Sequence, residues 1–341
     1  YYYNNNDGEY ELITQEFIKT VDLFSDVYPE FVDIDNDNDI DLFMGTDVDL
    51  STAPWSGKIK YFENIGSNEN GPIWVLNNHE YIDPEMGNNL SLDFGDIDND
   101  NDFDLVIGDF NGLVKLYLNI GSSDNPIFDY EENILGIDLS GYSIPKLIDI
   151  DGDDDLDLFV GQLNGTISFY RNIGSSSSYI FSFETDNYQN ISVANRSSIE
   201  FFDLDDDNDF DLFIGSSSNG VLFFKNTGSA QEAIFVLDDE MNIPNTSLNT
   251  IPAIYTDNEE LQLFIGCSTG GAYSLKYEIC GLTGDFNNDV IVDIIDIVFL
   301  ISIIFETNIY ESNCQLDLND DSVIDVLDIL IVVNIIINWI M

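Results

Sequence analysis

Short apolar runs alternate with clusters of polar turn residues along most of this chain, and the runs come in sets. "DLFMG" (41–45), "DLVIG" (104–108), "DLFVG" (157–161) and "DLFIG" (211–215) are continuous apolar segments of strand length, each stopped by a glycine. A run in which apolar and polar residues interleave follows each of them: "GKIKYFENIG" (57–66), "GLVKLYLNIG" (112–121), "GTISFYRNIG" (165–174) and "GVLFFKNTG" (220–228). A more polar strand closes the unit, as in "PIFDYEENI" (126–134) and "EAIFVLDDEM" (232–241). Short β-rich runs bounded by Gly, Asn and Asp turns predict an all-β repeat. The pattern changes near the C-terminus. From Ile294 to Phe305 almost every position is apolar, with Asp296 and Ser302 as breaks, which predicts a helix covered on several sides.

An acidic stretch stands before each glycine-terminated strand: "DIDNDNDIDLFMG" (33–45), "DIDNDNDFDLVIG" (96–108), "DIDGDDDLDLFVG" (149–161) and "DLDDDNDFDLFIG" (203–215). Their first aspartates, Asp33, Asp96, Asp149 and Asp203, are 63, 53 and 54 residues apart, which suits β-propeller blades. A fifth unit, "IPAIYTDNEELQLFIG" (251–266) with "GGAYSLKYE" (270–278), keeps the strands but has a loop two residues shorter without alternating aspartates. A blade without a metal is expected there. It also lacks a fourth strand, which "EYELITQEFI" (9–18) is expected to supply. Five four-stranded blades would then form a sealed ring, removing exposed sheet edges. In the competing reading "YYYNNN" (1–6) is the stub of a further blade in a larger ring.

Charge narrows the function. The chain carries 9 basic and 65 acidic residues, a net charge of -56, which argues against nucleic acid or an anionic membrane as partner and for cations. With 44% hydrophobic and 13% aromatic residues it can still bury a substantial core. In the first loop Asp33, Asp35, Asp37 and Asp41 occupy positions one, three, five and nine, and Asp39 at seven would add its backbone carbonyl. The matching sets are Asp96, Asp98, Asp100, Asp102, Asp104; Asp149, Asp151, Asp153, Asp155, Asp157; and Asp203, Asp205, Asp207, Asp209, Asp211. Oxygen donors converging from one short loop suit calcium, and the lack of accompanying His or Cys disfavours zinc or copper. In this reading the cation completes each turn and cancels its like-charge repulsion.

At these residues the chain resembles the FG-GAP/VCBS family of calcium-binding propeller blades, whose loop has the form D-h-D-x-D-G-x-x-D with h apolar. The resemblance covers roughly residues 1–278 and implies calcium at positions one, three, five and nine of each loop. Where the family has glycine at position six, this chain has Asn38, Asn101, Asp154 and Asn208, residues that tolerate the left-handed conformation.

Two further motifs, "GDFNNDVIVDIIDIVFLISIIF" (284–305) and "LDLNDDSVIDVLDILIVVNIII" (316–337), form a second duplication. Asp285, Asn287, Asp289, Asp293 and Asp296, and then Asp317, Asn319, Asp321, Asp325 and Asp328, stand at EF-hand ligand positions, with Ile291 and Val323 placed to offer carbonyls. The segment 279–341 resembles a dockerin, a calcium-dependent plug. That resemblance implies a small all-α module with two calcium ions, beside about four in the propeller. It also implies a protein partner, self or cohesin-like, recognised by Ile294, Ile295, Val326 and Leu327. Packing of these residues on the chain's own propeller is the alternative.

Among the remaining features, Cys267 is expected to be a small buried residue, and pairing of Cys280 with Cys314 is left open. No apolar run reaches the length of a membrane span. The chain begins at Tyr1 with no signal peptide before it, so a processed chain or a fragment is expected. His79, the one histidine, sits in a polar strand, and no Ser or Cys nucleophile motif is present. The expectation is therefore a non-enzymatic, extracellular, calcium-stabilised structural or adhesive protein, assembling through its C-terminal module with a neighbouring copy or a cohesin-like partner. Its alternative is a dockerin-tethered propeller that binds or cleaves carbohydrate with two or three carboxylates, none of which stands out among 65 acids.

Overall fold

The computed structural model describes residues 2–6, 9–14, 26–48, 55–68, 71–77, 82, 87–131, 139, 141–205, 207–243, 248–257, 260–277, 297–298, 301 and 329–333. After the N-terminal strands β1 (Tyr2–Asn6) and β2 (Glu9–Thr14), the first blade comprises β3 (Val27–Val32), β4 (Asp41–Thr46), β5 (Ile59–Asn68) and β6 (Gly71–Asn77). The second comprises β7 (Ser91–Gly95), β8 (Asp104–Gly108), β9 (Val114–Asn119) and β10 (Phe128–Glu131). The third holds β11 (Ser143–Ile148), β12 (Asp157–Gln162), β13 (Ile167–Asn172) and β14 (Phe181–Thr185). The fourth holds β15 (Ser198–Phe202), β16 (Asp211–Gly215), β17 (Val221–Asn226) and β18 (Phe235–Ile243). The fifth begins with β19 (Ile251–Asp257), β20 (Glu260–Gly266) and β21 (Ala272–Tyr277). Each blade is an antiparallel meander, and the whole is a mainly β, five-bladed propeller.

The glycine ending each second strand explains how the blades meet. A Cβ on Gly45, Gly108, Gly161 or Gly215 would lie 1.9–2.0 Å from a backbone carbonyl oxygen of the next blade, at Leu90, Ser143, Ser197 or Thr250. Gly266 of the fifth blade approaches the Val27 carbonyl of the first in the same way, at 2.1 Å. Five equivalent contacts close the ring. Only a residue without a side chain allows the backbones so near.

The core lies between neighbouring sheets. Phe43, Tyr61, Leu92, Leu105 and Ile107 fill the space between the first and second blades, and Phe159, Phe169, Phe201, Leu212 and Ile214 that between the third and fourth. Between the fifth and first, Phe31 packs on Phe264, Tyr255 and Trp74 with centroids 4.8, 5.3 and 5.7 Å away. Strands buried on both faces become near-continuous apolar runs, as the sequence shows.

One expectation changes. The fifth sheet runs β19–β20–β21–β1–β2, so the fourth place expected for 9–18 belongs to Tyr2–Asn6, and Glu9–Thr14 lies outside it. Tyr2–Asn6, within the run "YYYNNN", is thus a strand of the fifth sheet, in place of the stub of a further blade.

The chain divides into two compact units, Tyr1–Tyr2 with Thr14–Leu275, and Tyr3–Ile13 with Lys276–Met341. In the C-terminal segment the described residues 297–298, 301 and 329–333 are helical. Both EF-hand-type loops, the residues Ile294, Ile295, Val326 and Leu327, and also His79, Cys280 and Cys314 lie outside the described residues. The all-α module is therefore not shown. Cys267 is buried, its Sγ 3.1 Å from the Gly271 carbonyl. No helix among the described residues is long and apolar enough to cross a membrane.

Candidate functional site

Every blade runs its first strand between two ends of different character. At one end the acidic loops organise themselves. The position-one carboxylate accepts the backbone N–H groups of positions five and six: Asp33 from Asp37 and Asn38 at 3.1 and 3.0 Å, Asp96 from Asp100 and Asn101 at 3.0 Å each. Asp149 and Asp203 repeat the arrangement. Position six is left-handed throughout, with φ of 72° at Asn38, 71° at Asn101, 68° at Asp154 and 65° at Asn208. The turn therefore takes the left-handed conformation at position six with Asn or Asp in place of glycine.

Position nine does something the sequence reading missed. Asp41, Asp104, Asp157 and Asp211 are each 1% exposed, and one carboxylate oxygen of each accepts the backbone N–H of an asparagine in the third strand. The partners are Asn64, Asn119, Asn172 and Asn226, at 2.7, 2.8, 2.6 and 2.7 Å. The loop is thereby fastened to its own blade. Burial raises the carboxyls of Asp41, Asp104 and Asp157 to about 7 and that of Asp211 to about 6, against the lowering effect of these hydrogen bonds.

Carboxylate oxygens within 4.8 Å of one another come from Asp33, Asp35 and Asp37; Asp96, Asp98 and Asp104; Asp149, Asp151 and Asp153; and Asp203, Asp205 and Asp207. These clusters could hold a metal. The donor set fits a hard cation: Asp35 Oδ1, Asp98 Oδ1, Asp102 Oδ1, Asp155 Oδ1 and Asp157 Oδ2 are buried without a hydrogen-bond partner. At position seven, expected to act through its carbonyl, the side chains of Asp102, Asp155 and Asp209 are also buried. Burial, then the neighbouring Asp100 or Asp153, raises Asp102 and Asp155 to about 6.

Halfway along the first strands lies a layer that sequence reasoning did not find. Glu30, Asp93, Lys146 and Glu200 stand three residues before their loops and meet across the ring, with Ala253 at the same register in the fifth blade. Lys146 Nζ lies 2.5 Å from Glu30 Oε2, 3.1 Å from Asp93 Oδ1 and 2.6 Å from Glu200 Oε2. Asp93 Oδ2 also accepts the Leu147 backbone N–H at 2.6 Å. These four side chains are 8–13% exposed. Burial drives Glu30 well above the carboxylate range and raises Asp93 and Glu200, while Lys146 pulls all three down. Lys146 is itself raised, because its three carboxylates outweigh its burial. With three acids facing one ammonium, burial outweighs the pairing and all three carboxyls stay above their ordinary values.

At the far end, seven residues before each loop, the same register holds Asp26, Asn89, Tyr142, Arg196 and Asn249. Four of them are left-handed, with φ of 53° at Asn89, 48° at Tyr142, 54° at Arg196 and 54° at Asn249. Tyr and Arg rarely adopt this conformation, and such strain concentrates at functional sites. Arg196 pairs with Asp26 at 2.8 Å and donates to Asn89 Oδ1 at 2.8 Å and the Tyr28 hydroxyl at 3.1 Å. Its guanidinium sits 3.9 Å from the centre of the Tyr142 ring, and Tyr142 makes an edge contact with Phe110 at 4.9 Å. Asn249 donates to Asp26 at 3.0 Å, and Asn89 to Asp47 at 2.5 Å. Between this end of the strands, termed the mouth, and the carboxylates, Tyr28, Ile144 and Ile251 pack together and are buried. Aligning the units at offsets of three and seven before each loop would have exposed both layers.

No protein-family model matches the chain, and no curated protein matches it either. Among solved structures it is similar to a GH43 β-xylosidase/α-arabinofuranosidase from a compost microbial metagenome, in complex with xylotriose in a calcium-free form. The TM-score is 0.46 at 11% identity over 76% of this chain and 92% of that one. A GH43_1 enzyme from Xanthomonas citri aligns with a TM-score of 0.46 at 10% identity, over 73% and 84% of the two chains. A fructofuranosidase variant from Schwanniomyces occidentalis, complexed with fructosylnystose, gives 0.47 at 11% identity over 76% of this chain and 56% of that one. At such identity the likeness concerns the propeller fold. The solved neighbours are glycosidases, and the expectation of a non-enzymatic structural or adhesive protein is corrected accordingly. That expectation took every conspicuous carboxylate to be committed to the loops, whereas Glu30, Asp93 and Glu200 lie outside them and converge.

Proposed function

We propose that this protein is a carbohydrate-active propeller that cleaves glycosidic bonds with the carboxyls of its channel. The observation that carries the reading is the convergence of Glu30, Asp93 and Glu200 from three blades on one lysine. Glycoside cleavage requires one carboxyl that still holds its proton near neutrality and another that is ionised. A layer with more acid than base supplies both. Glu30, pushed furthest up by burial, is the acid in this assignment, and Asp93, anchored by Lys146 and the Leu147 N–H, is the carboxylate. Lys146 positions all three.

In the same reading the loops at Asp33, Asp96, Asp149 and Asp203 hold calcium, as their resemblance to FG-GAP/VCBS blades implies, and calcium ties each loop to its blade from outside the reacting layer. The dockerin-like segment 279–341 tethers the chain to a cohesin-like partner outside the cell through Ile294, Ile295, Val326 and Leu327. The apolar layer of Tyr28, Ile144 and Ile251 supports a second reading, in which a sugar is held at the mouth by Tyr142, Asn89 and Asn249 without reaching the carboxylates.

The test is release of reducing ends from xylan, arabinan and fructan in millimolar calcium, with Glu30→Gln and Asp93→Asn alongside. We expect turnover by the parent chain and a loss of about 10²-fold or more in either variant, the scale of a lost general acid or base. Retention of polysaccharide on the parent chain without turnover would establish the second reading. Neither turnover nor retention would remove carbohydrate as the substrate.

A further inference from the structure

The four acidic loops share a sequence but differ in their surroundings, and one position makes the difference. The residue preceding the fastened asparagine is Glu63, Leu118, Arg171 and Lys225 in the first to fourth blades. Arg171 pairs with Asp151, and its Nε donates to Glu184 at 2.7 Å; Lys225 pairs with Asp205. Asp151 and Asp205 are the position-three carboxylates. Among the described residues their counterparts Asp35 and Asp98 pair with no such cation, and each keeps a buried Oδ1 without a hydrogen-bond partner. In the second loop Asp102, 8% exposed, also has an unpartnered buried oxygen. In the first, the corresponding position holds Glu63, an acid where the third and fourth blades have a base.

Resting on the calcium reading above, we propose that the loops form two classes. Those of the first two blades depend on a divalent cation. Those of the third and fourth carry an internal cation, Arg171 or Lys225, that occupies the position-three carboxylate and competes with the metal. A positive side chain paired there takes up a ligand and repels an incoming dication, and ligand charge sets affinity in such oxygen cages. The third loop keeps unpartnered oxygens on Asp155, 6% exposed, and Asp157, so its metal binding is weakened, not abolished. We expect at least about a tenfold weaker dissociation constant for the second class. As calcium falls, the third and fourth loops empty first yet stay folded on their internal cations. The first two empty last and lose their order when they do.

The experiment is a calcium titration of the chelator-stripped full chain by calorimetry, repeated on Arg171→Leu, Lys225→Leu and Leu118→Arg. Each leucine variant should add one tight site, and Leu118→Arg should remove one. Hydrogen exchange on the stripped parent chain gives a readout free of substitutions. Protection should fall over 33–45 and 96–108 before 149–161 and 203–215. An unchanged number of tight sites in all three variants, or equal loss of protection over the four loops, would overturn the two classes. No calcium uptake by any form would instead remove the calcium reading on which they rest.

Discussion

The two ends of the propeller's first strands are built from the same backbone and obey opposite rules. At the loop end four blades repeat one solution almost residue for residue, down to the φ of position six. At the mouth the equivalent position holds five residues of four kinds, Asp26, Asn89, Tyr142, Arg196 and Asn249, although four share the same unusual φ. The backbone is repeated at both ends and the chemistry at only one. Repetition marks what the four acidic blades share, namely a turn that tolerates its charge and is fastened to the third strand. Divergence marks the end where five different side chains meet one another in place of repeating one turn. Four departures from this contrast can be measured.

The largest effect should come from titrating the loop end as a whole. Burial holds the carboxyls of Asp41, Asp104 and Asp157 at about 7 and Asp211 at about 6, above the roughly 3.9 of an unfolded aspartate. A group whose pKa is raised by folding stabilises the fold while protonated. That contribution is complete below about pH 4 and is lost as pH rises through 6–7. In excess chelator the protein should therefore melt at a lower temperature at pH 7.5 than at pH 5. Millimolar calcium should remove most of the loss, because the ion supplies the positive charge the proton supplied. A melting temperature in chelator that is flat or rises with pH would mean the loops are balanced without metal.

Next in size is Lys146→Met. The layer of Glu30, Asp93, Lys146 and Glu200 diverges between blades as the mouth does, yet it is buried, so it tests whether divergence implies tolerance. Removing the ammonium leaves Glu30, Asp93 and Glu200 facing one another with no cation among them. A loss of about 3–5 kcal/mol in denaturant unfolding at pH 7 is expected for an uncompensated buried charge cluster. A loss below about 1 kcal/mol would show that the carboxyls simply take up protons.

The ends can also be compared one residue at a time. Asp104→Ala deprives the Asn119 and Ile97 N–H groups of their acceptor inside the blade, at a cost of about 3 kcal/mol. Asn249→Gly keeps the backbone comfortable and removes one amide from Asp26, which retains Arg196, so about 1 kcal/mol or less is expected. Equal losses in urea unfolding would erase the distinction between the ends.

How much of this could be read from the chain follows from the same contrast. The loops were legible because their ligands lie within nine residues and recur four times, so self-alignment reveals them. The glycines were legible as a constant offset, although only the structure shows that each is pressed against a neighbouring carbonyl. Glu30, Asp93, Lys146 and Glu200 were not legible. Each is a lone charged residue inside a different strand, more than fifty positions from its partners, and nothing local marks it as inward-facing. The fourth strand of the fifth blade was misassigned for a related reason: 2–6 and 9–14 are both plausible strands, and pairing across the whole chain decides their order.

The smallest effect is the finest test, because it holds the backbone constant. Asn101 at the loop end and Tyr142 at the mouth have φ of 71° and 48°, and glycine would relieve both. Asn101 points its side chain to solvent, so Asn101→Gly should change stability by no more than about 0.5 kcal/mol, backbone relief offsetting the freer unfolded chain. Tyr142→Gly gains the same relief but loses the ring that carries Arg196 at 3.9 Å and meets Phe110 at 4.9 Å. A net loss of about 1–2 kcal/mol is expected there, together with loss of any sugar retained at the mouth. If Tyr142→Gly instead stabilised the protein and kept its ligand, the left-handed tyrosine would be a tolerated accident of the repeat. If it behaves as expected, the strain at the mouth is held in place by the contacts it makes possible.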